Sequence, residues 1–164
     1  GMIQHPEQLA HANIPVIFTP GHGMPMFNGD DLLHCPEQET WITVNDYETQ
    51  LLEERTGKPP HESAEIVDAR TITRGGEGSH IHTQKHRHEI PAAKTDALND
   101  PTGCGDAYRA GLLYGLMHEM DWETTGRIAS LMGAIKIEHH GTQNHHFTRE
   151  EFDERFKNSF DRCL

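Results

Sequence analysis

Basic side chains are scarce in this chain of 164 residues: 14 Lys and Arg stand against 26 Asp and Glu, a formal charge of −12 with histidine neutral. Proteins that grip a phosphate backbone carry a basic footprint, so nucleic acid is excluded as a general partner. No apolar run approaches the about 20 residues that span a bilayer, and the N-terminus lacks a charged-then-apolar signal pattern. A soluble, cytoplasmic protein without membrane contact is expected. Cysteines number only three, Cys35, Cys104 and Cys163, far apart and without a paired spacing. That is no disulfide framework, and free thiols in a reducing compartment are expected. With hydrophobic residues at 34% and aromatics at 7%, the length leaves room for one domain, or half of a larger one, but not two. Gly1 ahead of Met2 reads as the scar of a removed tag.

Apolar runs alternate with helical patterns. A short surface helix is predicted over His5–Ala12, with Pro6 in its first turn. The run Ile14–Phe18 (IPVIF) reads as a strand buried on both faces, the kind found in parallel sheets. After a Gly- and Pro-rich loop, a short helix is predicted over Asp30–Gln38, and Trp41–Val44 is the next buried strand. Asn45-Asp46 can cap a helix over Tyr47–Arg55, with Glu48 in its first turn and Gly57 after its last. Glu65–Thr73 is β-rich, and Gly75-Gly76-Glu77-Gly78 turns the chain. Ser79–Thr83 and His88–Pro91 read as a polar antiparallel hairpin at the sheet's edge. In the last third, Cys104–Met120 carries Ala107, Ala110, Leu112, Leu113, Leu116 and Met117 at helical spacing. Ile128–Ile137 repeats the pattern, with Ala129, Gly133 and Ala134 small enough to admit another backbone, and Arg149–Phe160 forms a final amphipathic helix. Alternating strands and helices imply an α/β fold with a mostly parallel sheet flanked by helices.

Chemistry concentrates at Asp100-Pro101-Thr102-Gly103-Cys104-Gly105-Asp106, ahead of the clearest helix. Glycines there let a backbone approach a ligand, and the first-turn N–H groups with the helix dipole suit an anion such as phosphate. Asp106 at that electropositive end stays ionised and can accept a proton from an incoming hydroxyl. Those are the parts of phosphoryl transfer to an alcohol. On spacing alone, a plain helix cap with a turn accounts for Gly-x-Gly-Asp equally well.

DPTGCGD followed by AYRAGLLYGL resembles the signature of the ribokinase-like family of carbohydrate and nucleoside kinases, D-T-x-G-A-G-D-x-F before a glycine-containing apolar helix. Val44–Glu48 (VNDYE) resembles that family's N-x-x-E element and Thr73–Gly78 (TRGGEG) its T-x-G-x-x-G loop, in the family's order and at compatible distances. PGHGMPMFNGDDL and SLMGAIKIEHHGTQNH are similar to bacterial adenosine kinases. The resemblance implies a ribokinase-like α/β fold and ATP-dependent phosphorylation of a sugar or nucleoside hydroxyl. By it Asp106 is the catalytic base, and the amides around Gly103, Cys104 and Gly105 form the anion hole. Asn45 and Glu48 organise Mg2+ and its waters near the ATP phosphates, and Thr73, Gly75 and Gly78 border the nucleotide. Asp100 and Thr102 match a site for a monovalent cation, usually K+. Ser130, Gly133 and Gly141 lie near the adenine or that cation.

Departures from the family's pattern are Thr19 in place of an Asp before Pro-Gly, Pro101 for a Thr and Cys104 for an Ala. Cys104 reads either as a small packed residue or as a helix-N-terminal thiol of lowered pKa. The family also carries an N-terminal half that supplies most of the substrate-binding residues. Residues 2–164 therefore match its C-terminal, ATP-side portion, through a gene truncation, a start placed at an internal methionine or a deliberate cut. A parallel sheet opened in its middle exposes an edge, so self-association through Ile14–Phe18 and weak or absent turnover by the chain alone are expected. Roughly two-thirds of a chain this long is buried on folding, which permits independent folding. A nucleotide-binding module without acceptor chemistry and an oligomerising remnant without ligand are the alternatives to an enzyme. His80-x-His82, His86-x-His88, His139-His140 and His145-His146 invite a transition metal, but no HExxH or paired-Cys motif completes a site, and a solvated polar hairpin is the plainer reading. Glu150-Glu151-Asp153-Glu154 reads as the solvated first turn of the last helix.

Overall fold

The computed structural model describes residues 16–21, 40–57 and 67–164. In chain order these form β1 (Val16–Phe18), β2 (Thr40–Asn45), α1 (Asp46–Thr56), β3 (Ala69–Thr73), a 3₁₀ turn (Gly75–Glu77), β4 (Ser79–Thr83), β5 (Arg87–Ile90), α2 (Cys104–Met117), α3 (Trp122–Ile137) and α4 (Arg149–Phe160). The helices predicted over 5–12 and 30–38, and the first residues of the strand runs at 14–15 and 65–66, lie outside the described residues. Two compact units emerge: the described stretch through Arg74 joins His80–His88, and Gly75–Ser79 joins Glu89–Leu164.

In the first unit β1 pairs parallel with β2 (Val16↔Thr40 through Phe18↔Ile42), and β2 pairs parallel with β3 (Trp41↔Ala69 through Asn45↔Thr73). Parallel neighbours need a crossover, which α1 supplies between β2 and β3. The run ITV of β2 is buried because Ile42 and Val44 meet Val67, Ile72 and Leu52 of α1, with Phe18 and Leu51 packed against them. Asn45 caps α1 as its sequence position predicts, and the Gly57 N–H closes the helix on the Glu53 carbonyl at 2.9 Å. The sheet order is β1-β2-β3-β4-β5. Only three residues, 84–86, join β4 to β5, too few for anything but an antiparallel hairpin, so the sheet is mixed and ends in the expected edge hairpin. Arg70 interrupts the apolar pattern of β3. It is fully buried, and that burial pulls its guanidinium down to about 10 against the opposing pull of Glu53.

The second unit is organised around α2 and α3. A Cβ added to Gly111 would lie 2.5 Å from the Ala129 Cα, and one added to Gly115 would lie 2.5 Å from the Thr125 hydroxyl, so these glycines set how closely the two helices approach. Ala129 thus serves the small-residue role expected of it, whereas Gly133 faces only the Cys104 carbonyl. Helix α3 begins six residues before the apolar pattern, at an Asp121 cap that accepts the Thr124 N–H at 2.9 Å. Its Ile128, Leu131 and Ile135 form the core of the unit with Ala93, Phe152 and Phe156. Helix α4 runs over the predicted Arg149–Phe160 behind a Thr148–Glu151 capping box. Ala110, Leu113 and Met117, expected on the apolar face of α2, are exposed; the buried face is Ala107, Tyr108, Gly111, Leu112 and Gly115.

Candidate active site

Three of the four described helices start on a side-chain cap, from Asn45, Asp121 and Thr148; α2 does not. Its N-cap is Gly103 at φ +82°, with no side-chain hydrogen bond. That left-handed backbone suits glycine, and a Cβ there would also press on the Thr142 Cα at 3.2 Å. Ala107 N–H makes the first helical bond, to the Gly103 carbonyl at 3.0 Å, while Cys104 N–H turns back to the Pro101 carbonyl at 3.1 Å. The Cys104 N–H, expected among the anion-hole amides, is thus engaged in this turn. The first-turn N–H groups of Gly105 and Asp106 precede the intrahelical ladder and point out along the helix axis, where the dipole favours negative charge.

The loop ahead of α2 is clamped by Asp100. Its Oδ1 accepts the Thr102 N–H at 2.9 Å and its Oδ2 the Gly141 N–H at 2.8 Å. These N–H groups hold the carboxyl well below the usual carboxylate range. From α3, the Lys136 Nζ donates to the Asp100 carbonyl at 2.7 Å. Burial pushes the Cys104 thiol up, which corrects the reading of a lowered helix-terminal thiol; Cys104 and Cys163 are both free, and Cys35 lies outside the described residues. The buried Tyr108 hydroxyl lies 2.7 Å from Ser79 Oγ and pins the first turns of α2 to the start of β4. Burial pushes that phenol up to about 12.

Asp106 stands in the first turn with its side chain 75% exposed, and its Oδ1 accepts from Arg109 Nη2 at 2.5 Å. Arg109 was missed on sequence, although an arginine three residues after an aspartate on a helix face is a readable pair. Its guanidinium also lies beside Gly105, 3.4 Å from where a Cβ would be. The pair leaves one Asp106 oxygen for an incoming proton, next to two N–H donors and a guanidinium that suit an anion. Gly133 faces the same turn, and Gly141 reaches it through Asp100. Ser130 is committed elsewhere: its hydroxyl donates to the Pro91 carbonyl at 3.0 Å and accepts the Ala93 N–H at 2.9 Å.

In the first unit Asn45 and Glu48 form a reciprocal capping box, Glu48 N–H to Asn45 Oδ1 at 2.8 Å and Asn45 N–H to Glu48 Oε2 at 3.0 Å. Thr73 is their neighbour, since its hydroxyl donates to the Val44 carbonyl at 3.4 Å. Asn45 and Thr73 end the parallel strands β2 and β3, and Glu48 lies in the first turn of α1 just beyond, at the carboxyl edge where α/β sheets bind ligands. Gly75 and Gly78 bracket the 3₁₀ turn, with the Gly78 N–H on the Gly75 carbonyl at 3.1 Å. Among the described residues no three His, Cys, Asp or Glu side chains gather as metal ligands would. The His80 Nε2 faces the guanidinium groups of Arg74 and Arg87, at 3.3 and 3.1 Å.

Residues 9–148 match the model of the pfkB family of carbohydrate kinases. The chain belongs to that family. Across 148 residues it is 32% identical to a nucleoside kinase of Methanocaldococcus jannaschii, covering 90% of this chain and 49% of that protein. A Burkholderia thailandensis nucleoside kinase solved in complex with inosine superimposes with a TM-score of 0.96 at 49% identity, over 100% of this chain and 55% of the other. The solved M. jannaschii nucleoside kinase gives a TM-score of 0.84 at 31% identity, over 88% of this chain and 48% of the other. This pfkB-family chain therefore spans about half the length of the relatives it matches. An Arabidopsis thaliana ribokinase complexed with ribose and ATP has the same fold, with a TM-score of 0.79 at 17% identity, so the expected ribokinase-like α/β fold holds. No helix among the described residues is long and apolar enough to cross a membrane.

Proposed function

We propose that this chain is the nucleotide-side part of a kinase that moves the γ-phosphate of ATP to a hydroxyl of a nucleoside. The observation that carries this reading is the start of α2, uncapped by any side chain, with Asp106 and Arg109 beside its N–H groups. Asp106 takes the proton of the acceptor hydroxyl as its oxygen attacks the γ-phosphorus and the bond to the β–γ bridging oxygen breaks. The Gly105 and Asp106 N–H groups and the Arg109 guanidinium offset the charge on the transferred group. Thr73, Gly75 and Gly78 border the nucleotide. Asn45 and Glu48 fit Mg2+: they are hard oxygen donors at a strand end, and a cation that retains its waters needs few of them. Bound there, the ion would neutralise phosphate charge. A nucleoside acceptor is favoured over a sugar by the inosine and ADP-inosine complexes of the B. thailandensis enzyme, which is 49% identical. An adenosine-type purine nucleoside is the acceptor class we infer.

Because the chain spans about half of its relatives, we infer that by itself it binds nucleotide with little turnover. Thermal unfolding with ADP or ATP and magnesium, together with transfer of labelled γ-phosphate to inosine, tests both parts. The midpoint is expected to rise in the parent and in Asp106→Asn alike, since a ligand that binds only the folded state stabilises it. Any transfer seen with the parent is expected to vanish in Asp106→Asn. No midpoint shift with excess nucleotide would refute the nucleotide-side reading, and equal transfer by both chains would refute Asp106 as the base.

A further inference from the structure

Lys136 is the one lysine among the described residues whose side chain is completely buried, at 0% exposure in the last turn of α3. A lysine at a helix C-terminus ordinarily satisfies the last carbonyls from the surface while its head stays in water. This one turns inward. Its Nζ donates to the Asp100 carbonyl at 2.7 Å and the His139 carbonyl at 3.0 Å, joining the loop before α2 to the loop after α3. The same loops are stitched by the Asp100 carboxylate, which takes the Thr102 and Gly141 N–H groups, and by the Asn99 and Asp100 N–H groups, which both reach the Ile137 carbonyl at 3.0 Å. A buried ammonium is tolerated only when paired and hydrogen-bonded. Here two carbonyl dipoles and the Asp100 charge meet that condition.

The resemblance that led to Asp100 and Thr102 also implies a monovalent metal cation at this loop, and the residues present do not fit one. Both Asp100 carboxylate oxygens already accept N–H groups, and its carbonyl already accepts an ammonium. A second cation among these oxygens would be repelled by the first. We infer that Lys136 is a positioning residue whose ammonium serves as a built-in cation, so that the loop carrying Gly103 keeps its shape, and nucleotide binding its strength, without potassium. The nucleotide part rests on the reading under Proposed function; the loop part does not.

The test uses this chain and Lys136→Met, which keeps length and apolar bulk but removes the charge. Unfolding midpoints are measured with and without ADP and magnesium in matched KCl, NaCl and tetramethylammonium chloride. The parent is expected to show one midpoint in all three salts and one ADP-dependent rise. Lys136→Met is expected to unfold several degrees lower in tetramethylammonium and to recover part of that loss in KCl, as potassium enters between the Asp100 and His139 carbonyls. A parent midpoint raised by KCl over tetramethylammonium overturns the inference, as does a folded Lys136→Met indifferent to potassium. If Lys136→Met does not fold in tetramethylammonium, refolding in KCl decides: recovery there supports the built-in cation, and failure in both salts overturns it. A chain that binds no ADP in any salt overturns the nucleotide reading, while the ligand-free midpoints still decide this one.

Discussion

Gly103 and Gly105 stand two residues apart in one motif, yet the structure gives them different reasons to be glycine, and paired alanine substitutions separate these. Gly103 sits at φ +82°, and its missing Cβ would press on the Thr142 Cα and Cβ at 3.2 and 3.3 Å. A left-handed backbone costs an L-residue about 1–2 kcal/mol, and the contact with Thr142 adds to that. Against it stands a gain of about 0.4–1 kcal/mol from a less free unfolded chain. The net expectation for Gly103→Ala is a loss of about 1–2 kcal/mol, roughly 3–6 °C in midpoint at this chain length. Gly105 lies inside α2, where an added Cβ meets only the flexible Arg109 guanidinium at 3.4 Å. Alanine there is expected to leave stability unchanged or raise it by up to about 1 kcal/mol. Urea denaturation at neutral pH measures both. Equal destabilisation by the two substitutions, or none by Gly103→Ala, would refute the left-handed backbone and the Thr142 contact as the reasons position 103 is glycine.

Acid is expected to act through two carboxylates. Burial pushes Glu138 up, but its bidentate Arg155 pair at 2.6 and 2.7 Å and the Asp96 N–H outweigh that and leave it below its ordinary value. Asp100 is held lower still by N–H groups. Both depressed groups stabilise the fold above their unfolded-state values near pH 4, and that contribution disappears as the pH falls through their folded-state values. Glu138→Gln and Asp100→Asn should therefore flatten the acid limb of a stability–pH curve, and unchanged limbs would count against these roles. In the first unit, β1 is the terminal strand of the sheet among the described residues. We propose that its edge pairs with a second copy, as the sequence suggests for Ile14–Phe18; a monomer in concentrated size-exclusion runs would dismiss this.

Much of the site could be read along the chain because its parts are local. A cap depends on residues three apart, so Asn45 with Glu48 and Thr148 with Glu151 announce their helices before any tertiary contact exists. The motif from Asp100 to Asp106 is contiguous, and its helix follows directly. The start of α3 was missed because Trp122-Glu123-Thr124-Thr125 carries little apolar periodicity; its Asp121 cap was the available signal. The hairpin, the strand run of β2 and α4 follow from alternation, continuous apolarity and amphipathicity, each a property of a few neighbouring residues.

Contacts between distant segments belong to the tertiary structure alone. Leu113 and Met117, four residues apart on one face of α2, stay exposed because Gly111 and Gly115 bring α3 against a different face of the helix. The Cys104 N–H closes a turn on the Pro101 carbonyl, which its place in the motif does not announce. Lys136 gives no sign in its own neighbourhood that it will be buried 36 positions away against Asp100. The sequence by itself determined the α/β class, the kinase-like motif and the helix caps, since these rest on interactions within a turn or two. Only the tertiary structure decided which N–H groups at the start of α2 are taken up in turns and that the Lys136 ammonium meets the Asp100 carbonyl, because both depend on what the rest of the chain brings to the same point in space.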